Sequence, residues 1–352
     1  MLHTQAFVVA TGGEAMKRLL LFALLLGCIV VPLGAYVRLS DAGLGCPDWP
    51  GCYGQLTPHH AADDIRQAMV QQPDGPVSHA KAWKEMVHRY LAATLGLLIL
   101  LAAAVAWRRR QQQLATGGLL ALLLLQGLLG MWTVTLLLKP AVVTAHLLGG
   151  MSIVALLAAA QRTAAPQTIP RMHAWLLWLL PLLVWLQIAL GGWVSSNYAA
   201  LACQGFPACN GSYLPDDLQF AGTFHWQREL GESADGSLLQ FSQLQAIHWL
   251  HRLGALLLSV ALLLAVRLNW QHAALRPRLL LLLGALLLQL ALGAANVLLL
   301  LPLPLAVAHN IGAMLLLALT LSLACSVRQP VAQRSMQAIT GKRTERGTTW
   351  QA

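Results

Sequence analysis

The chain has 352 residues, of which 57% are hydrophobic and only 10% are charged. A disordered protein has the opposite balance, because it lacks the apolar surface needed to offset the entropy lost on folding. The formal net charge of +10 could suit nucleic acid, but its distribution along the chain, described below, excludes that class. The composition indicates a protein that crosses a membrane several times.

Eight apolar runs of about 20 residues follow one another, each long enough to cross a hydrocarbon core of roughly 30 Å. They are continuous and rich in Leu and Ala rather than alternating, which favours helices over barrel strands. The runs cover residues 19–37, 87–107, 114–136, 141–160, 174–194, 247–266, 279–300 and 305–325. The predicted fold is an all-α integral membrane protein with eight transmembrane helices.

The first run, preceded by Lys17 and Arg18, is interpreted as a transmembrane helix and not as a signal peptide. It is longer than the apolar region of a typical signal peptide, and it lacks a clean cleavage site. Residues 1–15 are expected to be poorly structured, and Met16 is an alternative start.

The charged residues predict the orientation in the membrane. With the N-terminus in the cytoplasm, 15 of the 23 Lys and Arg residues fall on the inner side, and 11 of the 13 Asp and Glu residues fall on the outer side. This is the positive-inside pattern. It predicts that both termini are cytoplasmic and that two long loops, roughly 38–86 and 195–246, face outward and hold short helices.

The two outer loops contain the same cysteine pattern, CPDWPGC from Cys46 to Cys52 and CQGFPAC from Cys203 to Cys209. Shifts of 157 and then 163 residues superimpose further positions: Gly34 on Gly191, His88-Arg89 on His251-Arg252, Gln126 on Gln289, Gly130 on Gly293 and His146 on His309. These matches predict a duplicated four-helix unit, two pseudo-symmetric bundles with the same orientation. The predicted divisions are an N-terminal segment 1–18, halves 19–165 and 166–325, and a basic tail 326–352.

Four histidines occupy matched places near the outer ends of predicted helices: His88, His146, His251 and His309. At 1.5 Å per residue they lie within the first turn or two, all within roughly 10 Å of the outer end of the hydrocarbon core. Two imidazoles facing each other across a bundle can be the axial ligands of haem iron, which predicts one haem site in each half. The alternatives are a hydrogen bond to a neighbouring helix or a zinc site, although further zinc ligands are not obvious.

The halves differ three residues before the first of these histidines, where one has Glu85 and the other His248. Residues at i and i+3 share a helix face, so the first site is expected to have a carboxylate that can steer protons or hold a substrate. The alternative is that Glu85 fringes the helix end at the water interface, paired with Arg89. Arg89 and Arg252 suit haem propionates, although arginines also extend to the interface by default.

Six stretches together resemble one family. They are RLSDAGLGCPDWPGCYGQL after the first predicted helix, EMVHR opening the second, TAHLLGG in the fourth, GGWVSSNYAALACQGFPACNG after the fifth, HWLHR in the sixth and AHNIGA in the eighth. In this order the chain resembles haem A synthase, the bacterial and mitochondrial membrane enzyme that converts haem O to haem A for terminal oxidases. The resemblance covers roughly residues 19–325.

The resemblance implies a haem B cofactor on His251 and His309, and substrate haem O on His88 and His146, with Glu85 as the acidic residue of the reaction. A porphyrin methyl group would be oxidised to formyl through successive hydroxylations. His248 is a second histidine on the same helix face as the iron ligand. The repeat alignment favours His251, and not His248, as that ligand.

Location and partners complete the expectations, and of the partners haem O synthase is implied by the resemblance. The location is the inner (plasma) membrane, with the cysteine loops and haem sites toward the periplasmic face. Expected partners are haem O synthase, an electron donor, membrane lipid and further copies of the chain, with no nucleic acid.

The four loop cysteines are predicted to form disulfides, Cys46 with Cys52 and Cys203 with Cys209, because they face an oxidising compartment. The favoured interpretation is a staple that stabilises the loop beside the haem pocket by a few kcal/mol at most. The alternative is a redox relay. Cys28 and Cys325 lie inside predicted helices and are interpreted as small apolar residues.

Two other classes of protein compete with this interpretation. A b-type electron-transfer cytochrome with two bis-histidine haems explains the four histidines but neither Glu85 nor the cysteine loops. A membrane thiol oxidoreductase explains the cysteines but not the histidines, and its usual C-x-x-C signature is absent.

Overall fold

The computed structural model describes residues 2–110, 112–162 and 166–328, with side chains from residue 14 onward. The helices of this part are α1 (Leu2–Leu39), α2 (Ala62–Gln71), α3 (His79–Arg108), α4 (Gln113–Thr135), α5 (Pro140–Ala160), α6 (Arg171–Ser196), α7 (Phe241–Asn269), α8 (Arg276–Leu298) and α9 (Leu303–Ala324). Two short strands, β1 (Gln167–Thr168) and β2 (Val327–Arg328), pair in parallel.

Within these described residues, eight helices are long and apolar enough to cross a membrane. They are all the helices except α2, which is a ten-residue helix in the first long loop. The second long loop contains a 3₁₀ turn, Ala199–Leu201. The prediction of an all-helical protein with eight potential spans is therefore confirmed, and both loops hold the short helices expected of them.

Of the spans that carry histidines at the two sites, α3 and α7 begin more than a turn earlier than hydropathy predicts. α3 starts at His79, where the Ser78 hydroxyl accepts a hydrogen bond from the Lys81 N–H, a capping contact that satisfies a free helical donor. α7 starts at Phe241, where Gln240 and Gln243 form a reciprocal capping box. Hydropathy reports only the part of a helix that suits hydrocarbon, so these polar first turns are invisible to it.

The earlier starts change the positions of two histidines within their helices. His146 and His309 lie roughly 9 Å from the first residues of α5 and α9, as predicted, but His88 and His251 lie roughly 14 and 15 Å into α3 and α7. The prediction that all four lie within the first turn or two of their helices was therefore wrong for these two, while their depth relative to the hydrocarbon core stays a prediction.

The structure also corrects the expectation for the N-terminus. Residues 1–15 were expected to be poorly structured, but α1 begins at Leu2. The first proline of the chain is Pro32, so no proline interrupts this segment before the apolar run.

The spans pack as two groups that share a central seam. In the first group α3 packs on α1 and α4, and α5 packs on α1 and α4; in the second, α6 packs on α7 and α9, and α8 packs on α7 and α9. The seam consists of α5 against α6 and α9, with α1 also against α9. The largest buried cluster fills the second group and reaches across this seam to α5; it includes the fully buried Met151, Leu177 and Leu262. A second buried cluster fills the first group and includes Ala23, Ile99 and Leu157, so each group has an apolar core and the larger one extends across the seam.

Candidate functional site

Each of the four matched histidines packs against a glycine of a neighbouring helix. The pairs are His88 with Gly34, His146 with Gly130, His251 with Gly191 and His309 with Gly293. A Cβ atom on Gly34 would lie 2.8 Å from Cε1 of His88, and on each of the other three glycines it would lie 3.1 Å from the facing Cε1. Any larger residue would therefore push the imidazole away, so the glycines fix where the rings can lie.

The imidazoles form two pairs. His88 is close enough to His146 for the charge of one ring to act on the other, and the same holds for His309 and His251. All four residues are partly buried. Across the described part of the chain, no three His, Cys, Asp or Glu side chains converge as a metal site would require. Each pair thus offers two nitrogen donors, the number that a six-coordinate haem iron takes from a protein.

Glu85 is buried beside the first pair. It is only 4% exposed, and its Oε1 accepts a hydrogen bond of 2.5 Å from Arg89 Nη2 while Oε2 accepts one of 2.9 Å from the Cys46 N–H. The carboxylate lies almost two turns inside α3, so it does not fringe the helix end. The alternative interpretation was right about the pairing with Arg89 and wrong about the water interface.

His248 occupies the matching place in the second group, but with different chemistry. It is 5% exposed, and Arg252 Nε donates to its Nε2 over 3.3 Å. The Cys203 N–H lies 3.4 Å from its Nδ1. His248 is thus engaged by its own helix and by the cysteine loop, whereas His251 contacts Gly191 and lies near His309.

The two arginines anchor the cysteine loops to the helices. Arg89 Nη1 donates to the carbonyls of Asp48 and Gly51 over 2.8 and 2.5 Å. Arg252 donates from Nη1 to Ala208 and from Nη2 to Cys203, over 3.0 and 2.6 Å. Most of their donors therefore point to loop carbonyls, a role that the sequence did not suggest.

Both predicted disulfides are present, between Cys46 and Cys52 and between Cys203 and Cys209. All four sulfurs belong to buried residues. Each loop is also held by its own polar side chain: Asp48 accepts from the N–H groups of Tyr53 and Gly54, and Asn210 Oδ1 accepts from that of Gln204. The loops are thus compact lids on the N-terminal parts of α3 and α7.

Three glutamines at the site were not assigned a role from the sequence. Gln126, Gln187 and Gln289 each lie four residues before one of the glycines that face a histidine, and each donates from Nε2 to the backbone carbonyl of that histidine. The spacing Q-x-x-x-G, repeated three times inside apolar runs, was the available signal. A polar amide in hydrocarbon is costly and therefore usually has a partner.

The residues present fit a haem in each group. In each group two imidazoles lie close together, and each contacts a glycine at which a larger side chain would displace the ring. The fold and the site thus define a class, a helical membrane protein with two paired-histidine sites, each next to a disulfide-closed loop.

The comparisons narrow this class to one family. The model of the cytochrome oxidase assembly protein family matches residues 17–321, and the chain belongs to this family. The heme A synthase of Shewanella oneidensis is 44% identical over 307 residues, covering 85% of this chain and 92% of that protein. Heme A synthases of Caulobacter vibrioides and Wolbachia pipientis are 29% and 26% identical, covering 86% and 85% of this chain and 92% and 93% of theirs. The family resemblance drawn from the six stretches is confirmed.

Proposed function

We propose that this protein is an enzyme that oxidises a methyl group of haem O to a formyl group by successive hydroxylations, giving haem A for terminal oxidases. Family membership and the names of its relatives support this reaction. The single structural observation that carries it is the buried Glu85 carboxylate, which lies one turn before His88 and has no acidic counterpart at His248.

The asymmetry also supports an assignment of the two sites. Substrate haem O binds between His88 and His146, next to Glu85, and a haem B cofactor binds between His251 and His309. His251 and not His248 is the ligand, because His248 is already engaged by Arg252 and the Cys203 N–H. A bound haem supplies the iron redox chemistry, while Arg89 and the Cys46 N–H hold the Glu85 carboxylate where it can take up and return a proton.

The placement of the two sites supports the remaining parts of the proposal. The groups α1, α3, α4, α5 and α6, α7, α8, α9 descend from one duplicated unit, since matched glycines contact matched histidines in both. The termini are cytoplasmic, as the positive-inside distribution favours. The cysteine loops and both sites then face the periplasm of the inner membrane. Haem O synthase supplies the substrate, an electron donor acts with it, and the chain can associate with further copies of itself.

The test is production of haem A in cells. The chain is expressed with haem O synthase in a bacterium that makes no haem A, and the extracted haems are separated by chromatography and identified by mass. Wild type is expected to give haem A or its hydroxylated precursor. Glu85→Gln, which keeps the shape but removes the base, is expected to reduce them at least tenfold while haem B is retained.

Two results would contradict the proposal. Haem B alone in wild type would favour the b-type electron-transfer cytochrome, which the paired imidazoles also suit. If Glu85→Gln makes as much haem A as wild type, the carboxylate is not needed for the reaction. For comparison, His248→Gln is expected to reduce haem A less than Glu85→Gln does, because it changes the second site only.

A further inference from the structure

Three of the four histidines are held by a glutamine amide from the adjacent helix. Gln126 on α4 donates to the His146 carbonyl over 2.7 Å, Gln187 on α6 to that of His251 over 2.9 Å, and Gln289 on α8 to that of His309 over 3.0 Å. A helical carbonyl already accepts from the N–H four residues on. The amide therefore adds a second bond that ties the backbone at the histidine to the neighbouring helix.

The rest of each amide is fitted to the site. Its Oε1 lies over a second glycine, three residues after the histidine: Gly149, Gly254 or Gly312. A Cβ atom at any of these glycines would collide with the amide. In the described part of the chain the three Oε1 atoms are buried and have no hydrogen-bond partner. In the second group the amide nitrogen also lies near a ring nitrogen, at 3.0 Å for His251 and 3.4 Å for His309.

His88 lacks this arrangement. The position that corresponds to Gln187 is Val30, one turn before Gly34 on α1, and the position that corresponds to Gly254 is Leu91. Both are apolar, so neither can supply an amide bond or the space for one. Three histidines thus have a glutamine and a second glycine, and the histidine next to Glu85 has neither.

We propose that Gln126, Gln187 and Gln289 are positioning residues for their histidines, and that His88, without such an amide, is the axial ligand that leaves iron most readily. This rests on the proposed function, in which the four histidines bind haem. Groups that orient a metal-binding histidine raise its affinity for the metal, and their loss typically costs roughly 10–100-fold. An amide carried by a packed helix is such a group.

The distribution of the amides matches the two roles. A cofactor haem remains in place, and both histidines of the second pair are held. Haem O must arrive and haem A must depart, and in the first pair one histidine has a glutamine amide on its backbone carbonyl while the other has none. His88, the histidine without an amide, is also the one that has a carboxylate, Glu85, one turn away on the same helix.

The experiment measures ligand release and does not depend on turnover. Purified protein is loaded with haem B as the probe and reduced. Carbon monoxide is then mixed with it, and its binding is followed by absorbance, because it binds only where a histidine has left. Wild type is expected to bind carbon monoxide quickly at one haem and slowly at the other. Val30→Gln combined with Leu91→Gly is expected to slow the quick phase at least tenfold.

The opposite variants test the second pair. Gln187→Met and Gln289→Met keep the side-chain volume but lose the donor, and each is expected to speed carbon monoxide binding to the second haem, and haem transfer to apomyoglobin, by roughly 10–100-fold. Gln161→Met is the matched control, since Gln161 lies at the far end of α5 from His146 and its Nε2 has no partner in the described residues.

The possible outcomes separate the two proposals. Unchanged rates in Gln187→Met and Gln289→Met, or a quick phase that His88→Ala leaves in place at its wild-type rate, would overturn the inference. If the wild-type protein forms no haem A but shows the expected rates of carbon monoxide binding, the proposed reaction is wrong and the inference about the glutamines stands. A wild-type protein that retains no haem would overturn both.

Discussion

Gly127 and Gly130 lie one turn apart on α4 and have opposite surroundings. A Cβ on Gly130 would come within 3.1 Å of the His146 ring, whereas a Cβ on Gly127 would meet nothing within 4 Å. Composition alone cannot distinguish the two, since both are glycines in the same apolar run. Only the repeat, which matches Gly130 with Gly293, marks the glycine that faces a histidine.

We therefore expect Gly130→Ala and Gly127→Ala to differ sharply. Both gain up to about 1 kcal/mol of helix propensity, but only Gly130→Ala displaces His146. Gly130→Ala is expected to lose most of the haem at the first site, while Gly127→Ala keeps it and unfolds at a slightly higher temperature. The haem-to-protein ratio of the purified variants, measured by absorbance, checks this. Equal occupancy in both would show that the contact with His146 does not matter.

The arginines show where residue-level prediction ends. Arg89 and Arg252 were predicted as partners of haem propionates from their charge and place at the membrane edge. In the structure most of their donors point to loop carbonyls. A loop that folds back onto a helix some 40 residues later in the chain leaves no trace in local sequence, and neither does the bond from the Cys46 N–H to Glu85.

At the scale of elements, apolar runs were predicted well and polar elements were not. Hydrocarbon thickness sets the length of a span, so all eight spans could be recognised from the sequence. The first turns of α3 and α7 depend on polar caps at Ser78 and Gln240, outside the hydrocarbon, and were missed. The two-residue strands β1 and β2 form through pairing of segments 160 residues apart, and no pattern that short predicts a strand.

The cysteine loops give a prediction with an internal control. Cys46→Ser with Cys52→Ser and Cys203→Ser with Cys209→Ser open loops of equal size, so each loses a similar loop-closure term of about 2 kcal/mol. Only the first frees the Cys46 N–H from Glu85. A hydrogen bond to a charged group contributes about 1.5–3 kcal/mol, so haem A formation is expected to fall roughly tenfold or more in the first variant and clearly less in the second.

Haem A formation and haem B content are measured together for both loop variants. Retained haem B with reduced haem A in the first variant is the expected result. An equal fall in both variants would mean that the disulfides act through stability alone and that the contact with Glu85 is incidental.

At the scale of the whole molecule, the charge distribution gives a prediction about orientation. Green fluorescent protein fused after Ala352 is expected to fluoresce, because that end is predicted to be cytoplasmic. Alkaline phosphatase fused after Asp74, in the first long loop, is expected to be active, because the enzyme needs the periplasm to form its disulfides. If the first fusion is dark and the second is inactive, the orientation is the opposite of the predicted one, and the cysteine loops lie in the reducing compartment.

The outer walls of the two groups, α4 and α8, suggest how a molecule as large as haem reaches its site. Within the described residues α4 is the least buried of the eight spans; it packs mainly on α3 and α5, as α8 does on α7 and α9. Moving α4 or α8 away from its neighbours therefore exposes less apolar surface than separating the two groups along the central seam. These two helices also carry Gly130 and Gly293, which contact the imidazoles of His146 and His309. If haem enters from the bilayer, these two walls are therefore where the bundle can open with the least loss of apolar contact.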